Sequence, residues 1–480
     1  HAFAQCTALH FAAEMGHVGV ISELCEAGAD ANARKSTGGT PLHTAADCDQ
    51  PRAVAALLAP PCDAAPHLLL SGDTTPLYLA AQRGFTRAAA ALLDGGALVD
   101  FVMPNQVYSR QLAIPGEEEM GPGAFYSAKN TERGNGATAL HAAVENGHAE
   151  TSRMLLARGA RQLPSMEGAT PLVIALQYRH PAIALELARA TPTPSLDASV
   201  PIDGSSALFV AAGYGYTEVV KLLIELGADP DIRNRQGATP VSHAAYRGQL
   251  GALQLLLGRG ADLRIAAPLH AALGRGAALR GKRLTKAVDL MLAAGASADG
   301  LALAMAAEAG EAGAAAALLR AGAEVEAAVG SSGSTPLIKA AAAGREEVVR
   351  LLLRHGADVN ATAAESMYGA SALYLAAQGG HHAACIVLIE AGAAVDAPLV
   401  RMGVTPLFVA AERGHLEVTS LLLAHGAATE ARNWNGVTPL HMAAMRGNLR
   451  VVRALRSAAA AVDTAADGGA TPLLSVAAGE

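Results

Sequence analysis

Sixteen histidines and five cysteines are the side chains of this sequence best suited to acid–base, nucleophilic or metal chemistry. Ten of the histidines recur at two fixed offsets, His10, His43, His141, His270 and His441 at one and His17, His148, His180, His381 and His415 at the other. A group that returns at regular intervals serves the interval rather than a single reaction. His381 and Cys385 are one helical turn apart with His382 adjacent, but a zinc site takes three or four ligands and no further ligand is in register. The run GAALRGKR from Gly276 to Arg283 imitates a phosphate-binding loop for seven positions. It fails where Arg283 replaces the Ser or Thr that would hold Mg²⁺, and no strand precedes it. No GxSxG, HExxH or dinucleotide fingerprint occurs, and the carboxylates are dispersed. No catalysis, cofactor or metal is therefore expected.

The elements that carry these residues are repeats. The segment TPLFVAAERGHLEVTSLLLAHGA, Thr405 to Ala427, returns with variations from starts at Thr7, Thr40, Thr75, Thr138, Thr170, Ser206, Thr239, Ala267, Leu301, Thr335, Ser371, Thr405, Thr438 and Thr471. A period of this length signals a solenoid. The Thr or Ser is a helix N-cap and the Pro behind it has φ preset for the first turn. Leu407, Ala410 and Ala411 fall on one helical stripe, and their small size admits a close neighbour. A glycine nine residues after the start, as at Gly16, Gly84, Gly147, Gly344 and Gly447, ends the first helix in a left-handed conformation. A second amphipathic stretch such as EVVKLLIELG follows, stops at Gly-Ala, and leads into a polar, turn-rich finger.

These residues resemble the ankyrin repeat, with its Thr-Pro-Leu-His start, Gly-His helix turn and Gly-Ala-Asp exit. The resemblance runs over nearly all of residues 7–478 and implies an all-α solenoid of stacked helix-turn-helix units with β-hairpin loops, a curved elongated array. It also implies that both histidine positions are structural, bonded to backbone or to the capping Thr across neighbouring units.

The pattern sets five segments: repeats 1–3 over 1–99, an irregular insertion over 100–137, repeats 4–7 over 138–266, irregular repeats 8–9 with shortened hairpins over 267–334, and repeats 10–13 with a partial fourteenth over 335–480. In repeats 2 and 5, Asp49 and Arg179 replace the turn glycine, and Pro61 and Thr191 replace the exit glycine. Their second helices should end differently and mark weak points. A net charge of -7 argues against a nucleic-acid or membrane-surface binder. No apolar run spans a bilayer, because Glu308, Glu311 and Arg320 interrupt the Ala-rich stretch from Leu301 to Ala323. Cys6, Cys25, Cys48, Cys62 and Cys385 are odd in number and lack CxxC spacing, so no disulfide framework is expected and an intracellular, cytoplasmic or nuclear setting is. The chain opens at His1 rather than Met and stops within a repeat, so it reads as a fragment or a recognition arm of something longer, expected as a monomeric array.

Function then falls to surface side chains. The resemblance places the two residues after the Ala pair and the finger tips on the concave face, which puts Tyr178, Tyr214 and Tyr246 at its rim, with Arg83, Arg247, Arg275, Arg413 and Arg446 at helix ends. Trp434, the single tryptophan, falls in the finger ARNWNGV. Tyr108, Phe125 and Tyr126 lie in the insertion, where aromatic enrichment marks a partner-contacting arm or a tolerated loop. A local basic patch, Arg275, Arg280, Lys282, Arg283 and Lys286, is a solvated helix face or a site for an acidic partner. The expectation is a non-catalytic scaffold that binds partner proteins; the alternative is the substrate-recruiting or assembly arm of a larger kinase, ubiquitin ligase or channel.

Overall fold

The structure, a computed structural model, describes residues 6–70, 74–102, 136–165, 168–190, 195–198, 200, 203–364 and 367–467. Contacts divide the chain into two compact bodies, residues 1–244 with 249–265, and residues 245–248 with 266–480. Each is a stack of helix pairs.

The twelfth repeat shows how the residues build a pair. Thr405 is extended (φ -91°, ψ 166°), its Oγ1 accepts the Phe408 amide at 3.3 Å, and the helix runs Pro406–Arg413. Gly414 then adopts φ +79°, and a Cβ there would meet Asn448 Oδ1 of the next repeat at 2.8 Å. Glycine is thus required twice over, by backbone conformation and by the neighbour's approach. The second helix, Leu416–Ala424, returns antiparallel and ends at Gly426 (φ +80°). Leu407, Ala410, Ala411 and Leu422 are completely buried. Alanine at the contact lets successive helices approach closely, and leucine from the second helix fills the gap.

The recurrent histidines are ties between repeats. His43 Nδ1 lies 2.8 Å from Thr40 Oγ1 within its own cap and 3.3 Å from the Thr40 amide, while Nε2 reaches the Thr74 carbonyl of the next repeat at 3.1 Å. A carbonyl only accepts, so Nε2 carries the proton and Nδ1 accepts. His10 repeats the arrangement with Thr7 and the Gly39 carbonyl. The helix-turn histidines reach the opposite way, His381 to the Ala342 carbonyl and His415 to the Gln378 carbonyl of the preceding repeat, each at 3.1 Å. In these four the capping-Thr bond, where there is one, lies inside one repeat, and the bond across repeats goes to backbone.

The degenerate repeats behave as their sequences require. Asp49 (φ +49°) and Arg179 (φ +65°) take up the left-handed turn without being glycine, a conformation that disfavours a Cβ. The second helices Pro51–Leu58 and Pro181–Arg189 run into extended residues, Ala59 at ψ 155° and Ala190 at ψ 146°, rather than into a glycine exit. Thr191 lies outside the described residues, as does the partial fourteenth repeat.

Several expectations need correction. The ninth repeat's helix starts at Gly300, ahead of Leu301, because Asp299 substitutes for the missing Thr, its carboxylate accepting the Ala302 amide at 2.7 Å and lying 2.9 Å from His270 Nε2. The fingers are not regular β-hairpins: among the described residues the only bridges are the isolated pairs Val329 with Ser334 and Thr362 with Ser371. One disulfide also exists, between Cys25 and Cys62, whose Cα atoms are 5.0 Å apart. The two are 37 residues apart, close to one repeat period. Stacking therefore makes neighbours of cysteines that a search for CxxC spacing passes over.

Between Val102 and Gly136 the insertion lies outside the described residues, but the repeats on either side of it are bonded directly. Asp100 accepts the Arg161 amide at 2.9 Å and its Nε at 2.7 Å, and Thr86 Oγ1 meets Thr151 Oγ1 at 2.8 Å. His148 Nε2 reaches the Gln82 carbonyl at 2.9 Å. Repeats 3 and 4 thus stack as ordinary neighbours.

Leu422→Ala should lower stability by about 2 to 5 kcal/mol, read by denaturant unfolding, because its cavity is lined from both sides. Burial holds the His43 and His141 imidazoles down at about 4, against partial compensation by backbone carbonyls. The unfolded chain takes up these protons near 6.5 and the folded one does not, so their contribution is complete above pH 6.5 and is lost as pH falls towards 4. Their imidazole resonances should stay neutral at pH 5.5 in an NMR titration, whereas ordinary histidines are by then charged.

Candidate functional site

Helix ends and finger tips supply the surface. In the first body Tyr178 caps the helix Pro171–Gln177 and Tyr214 closes Ala207–Tyr214, both half-buried. The Tyr214 ring stacks on Tyr216 at 5.7 Å between centroids, and the Arg179 guanidinium lies 5.8 Å from the Tyr214 centroid. Burial first, and then the neighbouring Tyr214, push the Tyr216 hydroxyl above its ordinary value. Tyr216 was passed over in the sequence and Arg179 was read only as a replacement for the turn glycine, although each stands at a turn position that the regular pattern gives to His or Gly.

Tyr246 and Arg247, in the second body, are half-buried. The Tyr246 hydroxyl closes over Gly276, where a Cβ would lie 3.0 Å away, and the Tyr246 carbonyl accepts the Ala278 amide at 2.9 Å. This tyrosine is engaged in stacking repeat 8.

The helix-end arginines form ties along each body. Arg83 meets Asp47 at 3.1 Å, and Arg446 meets Glu412 at 2.7 Å, in each case one repeat back. Arg275 pairs instead with Glu308, one repeat ahead. Arg413 ends the helix Pro406–Arg413 and is exposed. The basic patch is largely consumed internally: Arg280 bonds the Ala277 and Leu279 carbonyls, Arg283 reaches the Gly248 carbonyl, and Glu311 accepts the Gly281 amide at 2.8 Å. Lys282 and Lys286 remain exposed.

Trp434 is 68% exposed. Its backbone is fixed all the same, since its N–H donates to the Met402 carbonyl of the preceding finger at 3.0 Å. Asn433 Oδ1 accepts the Asn435 and Val437 amides at 3.0 and 2.9 Å, which holds the tip as an Asx turn. Arg432 beside it donates to the Ala465 carbonyl. Three further exposed apolar side chains lie on the two preceding fingers, Met367 and Tyr368 on one and Val400 on the other. The sequence hid them because each is unremarkable singly. Tyr108, Phe125 and Tyr126 lie outside the described residues.

Comparison with known families gives the same construction. The description "Ankyrin repeats (3 copies)" matches residues 2–67, 110–198, 191–267, 273–363 and 362–433, and "Ankyrin repeat" matches residues 435–467. The chain belongs to the ankyrin repeat family. Among its relatives, the B-cell lymphoma 3 protein homolog of Mus musculus is 34% identical over 147 residues, 29% of this chain and 33% of that protein. Protein phosphatase 1 regulatory subunit 12A of Mus musculus is 45% identical over 60 residues, 12% of this chain and 6% of that one. The transient receptor potential cation channel subfamily A member 1 of Homo sapiens is 29% identical over 137 residues, 28% and 12% respectively. The chain thus spans a third or less of the length of these three. No helix among the described residues is long and apolar enough to cross a membrane.

Exposed ankyrin-repeat ion pairs gain little, because solvent screens them and two long side chains must be ordered. Glu412→Ala, which frees Arg446, should therefore shift unfolding free energy by less than about 1 kcal/mol in denaturant titration.

Proposed function

We propose that this ankyrin-repeat chain is a non-catalytic scaffold that binds partner proteins on its concave face and finger tips. The observation that carries the reading is Trp434, a large apolar side chain presented to solvent on a backbone held by Met402 and Asn433. A rigid, exposed aromatic gives broad contact area with few rotors to freeze on binding. Tyr178, Tyr214, Tyr246, Arg247, Arg413 and Arg446 are assigned to the same role, with Tyr108, Phe125 and Tyr126 contributing from the insertion. The stack-facing bonds of Tyr246 and the Glu412 pair of Arg446 make these two weaker anchors than Trp434.

A second reading makes this chain the recruiting or assembly arm of a larger enzyme or channel. It is favoured by the short share of each relative that is covered and by two of their names, a phosphatase regulatory subunit and a cation channel. A monomeric state and absence of nucleic-acid binding are further parts of the proposal, in line with the acidic balance. An intracellular setting is supported by the free thiols Cys6, Cys48 and Cys385, while the Cys25–Cys62 bond counts against it.

Trp434→Ala should weaken capture of a partner by more than about 1 kcal/mol with circular dichroism unchanged. Unaltered affinity for each captured partner, measured by titration calorimetry, removes Trp434 from the site.

A further inference from the structure

We propose that Cys25 and Cys62 form a reversible thiol–disulfide exchange site, at which a dithiol reductant loosens the seam between repeats 1 and 2 and an oxidised thiol couple closes it again. The inference goes beyond the scaffold reading and does not depend on it.

A lengthened exit builds the pairing. In a regular repeat the exit closes with an alanine amide donating to the carbonyl five residues back, Ala29 to Leu24, Ala97 to Leu92 and Ala427 to Leu422. In repeat 2 the same bond runs from Ala64 to Leu57, seven residues back, at 2.9 Å. The added length falls in the run Ala59 to Asp63, where Pro60, Pro61 and Asp63 are exposed and Cys62 is half-buried. Asp63, the residue before Ala64, takes φ +45° where a regular exit places glycine, as at Gly28 (φ +84°).

This loop carries Cys62 back to the second helix of repeat 1, Val18–Glu26, with its Cα 5.0 Å from that of Cys25. Cys25 stands at the position that the next two repeats give to Leu58 and Leu93. Leu58 there packs over Gly95 in the exit of the following repeat. An aliphatic contact between a helix and the next exit is thus replaced, at the first seam alone among the described residues, by a covalent one.

Access to the bond is uneven. Cys25 is 6% exposed, whereas Cys62 rides on the exposed loop. A reductant thiolate therefore attacks Cys62 Sγ, and Cys25 leaves as a thiolate and takes up a proton. The second thiol of the reductant then displaces Cys62 from the mixed disulfide. Two electrons pass to the protein, which ends with two thiols, and the dithiol ends as a disulfide. Glutathione disulfide runs the exchange backwards and leaves as two glutathione thiols.

The first seam is where such a tie matters most. Repeat 1 is covered from one side only: Val20 is 49% exposed, against 0% for Ala53 and 1% for Val418 at the same place in their repeats. Without the disulfide the seam keeps its apolar packing and hydrogen bonds such as His10 Nε2 to the Gly39 carbonyl and the Ala65 amide to Asn32 Oδ1, each a modest contribution. Segments covered on one side are the first to open locally. The chain then holds two states, closed in an oxidising compartment and loosened in a reducing one.

The test follows hydrogen–deuterium exchange by mass spectrometry on the full chain, with and without millimolar dithiothreitol. Reduction should speed exchange over Val18–Glu26 by about tenfold or more and leave Leu416–Ala424 unchanged. Glutathione disulfide should restore the slow rate, and a Cys62→Ala chain should exchange at the fast rate under either condition. Equal exchange in the two forms, acceleration over Leu416–Ala424 as well, or a Cys62→Ala chain that still responds to dithiothreitol would overturn the proposal. So would maleimide tagging that finds the native bond closed in dithiothreitol, or peptide mapping that finds Cys62 joined to Cys6 or Cys48. Trp434→Ala should change none of these rates, so the exchange site and the scaffold reading stand or fall separately.

Discussion

Every repeat of this chain has an apolar face that only another repeat can cover. Alanine pairs such as Ala410 and Ala411 allow helices to approach, and leucines such as Leu422 fill what remains; neither has a core to join within its own forty residues or fewer. The polar ties follow from that contact. Once two repeats are pressed together, the His43 ring lies within reach of the Thr74 carbonyl and His415 within reach of the Gln378 carbonyl, so these two imidazoles bond across the seam. Histidines that invite a catalytic reading are instead struts, and burial holds the His10, His43 and His141 rings below their ordinary value.

The same constraint explains what the stack tolerates. An insertion of more than thirty residues leaves repeats 3 and 4 in ordinary contact, because it leaves and re-enters at a finger, where no apolar face is interrupted. Loss of the turn glycine in repeats 2 and 5 is absorbed locally by Asp49 and Arg179, and loss of the exit glycine changes only how the second helix ends. Loss of the capping threonine in repeat 9 moves the helix start to Gly300, with Asp299 supplying the oxygen and an added tie to His270. Each departure is repaired by the nearest residue able to replace the missing bond.

The proposed function is placed where the stack has no claim on a side chain. Fingers are held by their backbones, through bonds such as Trp434 to Met402, which leaves the side chains free to differ from repeat to repeat. This is the physical reason that one scaffold carries both repeating helices and individual finger tips.

Most helix positions, the turn and exit glycines, and the capping residues other than that of repeat 9 were legible in the amino-acid order, because each depends on neighbours within one or two helical turns. The identity of Trp434 as an outlier was legible too, as the single tryptophan in a segment with no core to join. What only tertiary structure decided are relations one repeat apart: the Cys25–Cys62 bond, the Arg446–Glu412 pair and the bond of His43 to the Thr74 carbonyl. Residues some 35 positions apart become neighbours only when faces pack, and the direction each side chain then takes is set by that packing rather than by its own stretch of chain.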